Sequence, residues 1–225
     1  MKLNRRNMIA GGAVLAAGSG AFSLLSGSGP NASFMPGVTA ARAADVDAKE
    51  VLKAPALGDR SMGKADAPVT IIEYASATCP HCADFHAGTF VQLKKDYIDT
   101  GKVRYIFREF PFDDLALAAF MLARCAPEDK YFAMLDVIFE KQQQWSRNNP
   151  REELLKIAKL AGFTEESFDK CLKNEEIAKG IYEIRETAAK QYGVNSTPSF
   201  FVNGKFLSGN APIDRFKELI DAAKG

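Results

Sequence analysis

The passage from Val69 to Cys82 constrains this chain more than any other. Val69-Thr70-Ile71-Ile72-Glu73-Tyr74 is a short apolar, β-branched run, the pattern of a buried strand. Ala75-Ser76-Ala77-Thr78 is a turn of small residues, and Cys79-Pro80-His81-Cys82 follows at once. Phe85, Phe90, Leu93 and Tyr97 continue at helical spacing as far as Gly101. This predicts a helix that begins at the cysteines and stops at the glycine. Val103 to Phe110 alternates as a second strand. Strand, helix and strand in that order imply a parallel pair with a crossover helix. The two cysteines therefore sit where a strand ends and a helix begins.

The compartment decides how such a pair is read. Residues 1–43 hold Lys2, Arg5, Arg6 and Arg42 and no acidic residue. A basic start leads into an apolar stretch from Met8 to Ala17, weakly apolar to Leu25. A Gly/Ser/Pro-rich stretch and Ala41-Arg42-Ala43-Ala44 follow. That order is an n-region, a weak h-region and a small-residue cleavage site. Arg5-Arg6 resembles a twin-arginine export signal. The expectation is a signal peptide over 1–43, cleaved after Ala43, and export to a bacterial periplasm. The alternatives are a flexible tail and a lone membrane anchor. Gly11, Gly12, Gly18 and Gly20 weaken the anchor, because a spanning helix needs about 20 largely apolar residues.

The whole chain has 29 Lys and Arg against 28 Asp and Glu; without residues 1–43 the balance is 25 against 28, a formal charge of −3. A chain so charged has no electrostatic reason to seek nucleic acid or an anionic membrane. Its four cysteines, Cys79, Cys82, Cys125 and Cys171, all lie beyond the signal. An even count in an exported chain favours disulfide chemistry.

A thiolate, not a thiol, attacks a disulfide. Cys79 at a helix N-terminus faces unpaired backbone N–H groups and the positive end of the helix dipole. Pro80 suits the first turn because it lacks an N–H, and a protonated His81 adds positive charge. These effects stabilise the reduced form and so favour a disulfide donor. Cys79 is expected to attack, and Cys82, one turn further in, to be buried and resolve the mixed disulfide. The competing readings are an inert disulfide and a zinc half-site with His81 or His86, which would still need a fourth ligand. The helix pattern puts His86 on a partly exposed face, away from the chemistry.

The middle of the chain is helical. Asp113 or Asp114 can cap a helix through Ala123; a second runs from Glu128 to Trp145. Pro150 begins a third, which Gly162 closes. Thr164 and Ser167 cap a fourth, and residues 175–192 form a long amphipathic one. Ser199–Val202 and Lys205–Ser208 flank Asn203-Gly204, a strong hairpin signal, and Ile213 to Ala223 is a closing helix. Cys125 and Cys171 both fall in the helical block. A bond between them would close a loop of about 46 residues and stabilise by up to about 4 kcal/mol; two separate buried thiols are the alternative. Phe110, Phe112, Phe120, Tyr131, Phe132, Phe139 and Trp145 are mostly core.

Val69–Tyr74, Cys79-Pro80-His81-Cys82 and, far downstream, Ser196-Thr197-Pro198-Ser199-Phe200 together resemble the DsbA-type thiol:disulfide oxidoreductases. The resemblance covers roughly residues 50–225. It implies an α/β thioredoxin fold with an inserted all-helical subdomain. The thioredoxin-like part would span 67–112 and 190–225, the insert 113–189, with the polar residues 44–66 read as an N-terminal arm plus a linker or short helix. It implies that Pro198 is cis and lies against the redox pair, and that Thr197 presents its backbone to an extended substrate. Glu73 matches a buried acid in the family, which would manage the proton of Cys82; a strand-end ion pair with Arg108 or Lys102 is the alternative. Some relatives carry a second cysteine pair, which favours a structural Cys125–Cys171 disulfide.

The implied function is the introduction of disulfides into reduced, unfolded exported proteins through a mixed disulfide. A membrane, quinone-linked partner of the DsbB type would reoxidise a monomeric enzyme that needs no cofactor and no metal. Thr197 is also found in isomerase relatives. A disulfide isomerase or reductase of one dedicated pathway is therefore the second reading, and a non-catalytic zinc-binding module the third.

Overall fold

The structure is a computed structural model that describes residues 44–223. The expected signal peptide and its cleavage point lie outside the described residues.

Five strands, β1 (Arg60–Met62), β2 (Val69–Ala75), β3 (Val103–Glu109), β4 (Ser199–Val202) and β5 (Lys205–Ser208), lie in the order β1-β3-β2-β4-β5. β2 and β3 are parallel, with Ile71 opposite Tyr105 and Glu73 opposite Phe107. β4 runs antiparallel to β2 and places Phe200 opposite Glu73. Both faces of β2 are covered, which is why its sequence is apolar throughout rather than alternating. Ile71 and Ala75 face a large core with Phe85, Phe120 and Phe216. Ile72 and Tyr74 face a smaller one with Ile184 and Ala188. Side chains alternate along a strand, so Glu73 points the same way as Ile71 and Ala75, into the large core.

The helices are α1 (Ala48–Val51), α2 (Pro80–Ala87), α3 (Thr89–Leu93), α4 (Asp114–Cys125), α5 (Tyr131–Glu140), α6 (Gln142–Arg147), α7 (Pro150–Leu160), α8 (Glu165–Leu172), α9 (Glu175–Gln191) and α10 (Ile213–Ala222). Local chemistry sets several of their ends. The Ala116 N–H donates to Asp113 Oδ1 at 2.8 Å, and Thr164 and Ser167 exchange hydrogen bonds in a capping box. Asn203 (φ 44°) and Gly204 (φ 86°) both have positive φ, as the tight β4–β5 hairpin requires. Cys125 and Cys171 are disulfide-bonded with their Cα atoms 6.1 Å apart, joining α4 to α8. Buried Arg124 of α4 donates to Glu109 of β3 at 2.5 and 2.7 Å, and the Tyr131 hydroxyl donates to the same carboxylate at 2.7 Å. That cluster ties the helical block to the sheet.

Three elements differ from the sequence reading. Residues 44–66 contribute, besides the short helix α1, the edge strand β1, paired antiparallel to β3; a three-residue strand is too short to leave a period. The helix after the cysteines ends at Ala87, and Gly88 (φ −121°, ψ −94°) breaks it before α3 and a π-helical turn over Lys94–Ile98. The helix expected over 128–145 is a 3-10 turn, then α5, then α6, with a break at Lys141. Neither Gly nor Pro marks that break. The Trp145 indole N–H donates at 2.7 Å to the Ile138 carbonyl oxygen, the acceptor that the amide of residue 142 would take in an unbroken helix.

Candidate active site

β2 ends at Ala75, the chain turns through residues 76–78, and Cys79 is the N-cap of α2 with Pro80 in its first turn. The Cys82 and Ala83 N–H groups donate to the Cys79 carbonyl oxygen at 3.1 and 3.2 Å. Both thiols are free, Cys79 half-buried and Cys82 fully buried. The Cys79 thiol donates to the Thr197 carbonyl oxygen at 3.3 Å. The Thr197–Pro198 bond is cis, so residues more than a hundred positions apart in the chain meet at the sulfur.

The two thiols are driven in opposite directions. Cys79 is held down at about 5, first by the hydrogen bond from the Cys82 thiol, against the cost of its partial burial. The backbone N–H groups of Cys82 and His81 add to the effect. Burial pushes the Cys82 thiol far up, and its hydrogen bond to Cys79 and the charge of Glu73 push it further. A carbonyl cannot donate, so the Thr197 oxygen steadies the protonated sulfur, whereas the N–H groups steady the thiolate. Pro80 and His81 are both exposed.

Glu73 is fully buried. Its Oε2 accepts a short hydrogen bond from the Tyr105 hydroxyl and lies 3.1 Å from His86 Nε2. Its Oε1 has no partner among the described residues. The ion pair considered from sequence is absent: Arg108 turns to Asp59 at 2.8 Å, and Lys102 Nζ donates to the Asp96 carbonyl oxygen. His86 is also corrected. It is buried, with its ring stacked on Phe139 at 4.2 Å and 19°. The break at Gly88 and the helical block above α2 cover the face that the helix period alone left open.

Gln142 was not singled out from sequence. Its side chain is buried, and its Nε2 donates to the Ala77 carbonyl oxygen at 2.8 Å and to that of Cys79 at 2.9 Å. Thr78 is tied on the other side, its hydroxyl donating to Asp113 Oδ2 at 2.7 Å. Phe112, expected in the core, is 50% exposed.

Comparison with known proteins agrees with this geometry. The sequence model of the family described as Thioredoxin matches residues 56–222. The crystal structure of Wolbachia pipientis alpha-DsbA1 superposes with a TM-score of 0.73 at 32% identity, over 80% of this chain and 96% of that one. The chain belongs to the DsbA-type family of the thioredoxin superfamily. Among its relatives by sequence is a Rickettsia bellii protein named a protein-disulfide oxidoreductase. It is 38% identical over 73% of this chain and 64% of that protein. The chain thus spans under two thirds of that relative's length. Disulfide bond formation protein D of Bacillus subtilis is 29% identical over 73% of this chain and 76% of its own length.

Proposed function

We propose that this protein is an exported thiol:disulfide oxidoreductase that passes a disulfide to reduced, unfolded exported proteins. The observation that carries the reading is the unlike pair at the start of α2. One sulfur is half-exposed and held as a thiolate near neutral pH, and the other is buried and held as a thiol. A thiolate stabilised in the reduced form makes the couple a stronger oxidant, which favours an oxidase over a reductase.

In the oxidised enzyme a client thiolate attacks Cys79 Sγ. The client–Cys79 bond forms, the Cys79–Cys82 bond breaks, and Cys82 leaves with the electron pair and takes up a proton. A second client thiolate then attacks its own sulfur in the mixed disulfide, and Cys79 departs as a thiolate. The client is oxidised by two electrons and the enzyme is reduced by two. Regeneration needs an oxidant; a membrane, quinone-linked partner of the DsbB type fits this role. Pro80 and His81 tune the couple, Thr197 and Pro198 receive the client's backbone, and Glu73 exchanges the proton of Cys82 through its open Oε1. Cys125–Cys171 is a structural bond. A signal over 1–43 would deliver the protein to the periplasm. Among the described residues no helix is long and apolar enough to cross a membrane.

The test is oxidative refolding of a reduced client protein by Cys79→Ser. Loss of client oxidation is expected; undiminished activity would remove the assignment.

A further inference from the structure

We infer that Gln142 is a positioning residue for the redox turn, through which the helical block holds the peptide groups that present backbone N–H groups to Cys79. The amide lies between two carbonyl oxygens, Ala77 at 2.8 Å and Cys79 at 2.9 Å. Both neighbours are acceptors, so only the NH₂ end can face them. The Cys79 carbonyl already accepts from the Cys82 and Ala83 N–H groups. Gln142 is therefore not needed to satisfy that oxygen, and what it adds is orientation. It fixes the peptide between Cys79 and Pro80, and the two following amides, of His81 and Cys82, are those that act on the Cys79 sulfur.

Gln142 is aimed at the turn by a device built into the insert. α5 stops at Glu140, α6 starts at Gln142, and the Trp145 indole occupies the Ile138 carbonyl that the break leaves open. Its neighbours in the Gln142-Gln143-Gln144 run do different work: Gln143 is exposed, and Gln144 donates to Glu153. The break thus turns one glutamine of three inward, onto the turn that carries Cys79.

The inference rests on the proposed role of Cys79 as the attacking thiolate, which Cys79→Ser tests separately. Its own test reads the sulfur directly, by ultraviolet absorbance of the thiolate against pH in the reduced full chain. Gln142→Leu keeps the bulk and removes both donors. The expected result is an upward shift that cuts the thiolate-to-thiol ratio at a fixed pH by about threefold or more, the weight of one ordinary hydrogen bond. The equilibrium constant with glutathione should move towards a weaker oxidant by a similar factor. If Gln142→Leu does not fold, Gln142→Met is read in the same way. A variant that melts earlier with an unmoved thiolate midpoint would overturn the inference, because a glutamine that only fills space and satisfies carbonyls would behave so.

Discussion

His86 Nε2 lies 3.1 Å from Glu73 Oε2, beneath the turn that carries the two free cysteines. Both residues are buried, and the Tyr105 hydroxyl donates to the same carboxylate oxygen. A carboxylate in an apolar core persists only if its oxygens find donors, and the imidazole supplies one of the two that Oε2 receives. His86→Phe should keep the stack on Phe139 and lose the hydrogen bond, at a cost of about 1–3 kcal/mol in unfolding free energy. His86→Gln, which can offer an N–H at a similar reach, should recover much of the loss. Urea unfolding of both variants decides it; equal stability of His86→Phe and wild type would remove the argument.

Stability of the reduced form should depend on pH through Cys79. Its thiol ionises near 5 in the fold against an ordinary value of 9.0. Between those values the unfolded chain binds the proton that the folded chain has lost, so stability rises with pH. The contribution is full above about 9 and gone below about 5. The oxidised form lacks it. The urea midpoint of the reduced protein should therefore gain on that of the oxidised protein as pH climbs from 5 to 9, and reduced Cys79→Ser, which has no thiol at position 79 to ionise, should lack the rise that the reduced wild type shows over the same range. Parallel curves for the two redox forms would contradict the low thiol.

Replacing Cys125 and Cys171 together by Ala should lower stability by about 2–4 kcal/mol, since the bond closes a loop of 46 residues in the unfolded chain. Thermal melting measures the loss. The ultraviolet titration of Cys79 should not move in this variant, and a moved midpoint would mean that the second pair is more than a structural bond.

Arg124 and Glu109 are almost wholly removed from solvent. Removing one partner strands the other, so Arg124→Met should cost about 3–5 kcal/mol, well above what a surface pair is worth. Lys190 pairs with Glu186 on the exposed surface of α9, so calorimetry on Arg124→Met beside Lys190→Met separates the two cases.

Much of this could be read from sequence because the signals were local. β2, the hairpin at Asn203-Gly204 and the caps at Asp113 and Thr164 all depend on residues within a few positions of one another. The resemblance also anticipated the cis bond between Thr197 and Pro198. His86 was misplaced because burial on a helix depends on what lies above it, and that is a helical block supplied some fifty residues later. The partners of Glu73 escaped for a related reason. Tyr105 and His86 reach it from β3 and α2, and no spacing in one element encodes a contact among three. Gln142 was hidden by a backbone break that a tryptophan side chain, rather than a glycine or proline, accommodates.

The hairpin at Asn203-Gly204 has a consequence at the rim of the sheet. Val46 donates to the Gly204 carbonyl oxygen at 2.9 Å, the Phe206 N–H donates to Asp45 Oδ1 at 2.9 Å, and any Cβ on Gly204 would strike the Val46 carbonyl. The turn end of the outer side of β5 is thus already engaged by the chain's own residues, while β1 at the opposite rim is three residues long. Exposed strand edges recruit other extended chains. A protein proposed to receive unfolded polypeptides would meet such chains constantly, and a sheet with one rim partly engaged and the other curtailed gives them little to zip onto. On the proposed function, the one place left for a client to engage is the sulfur of Cys79.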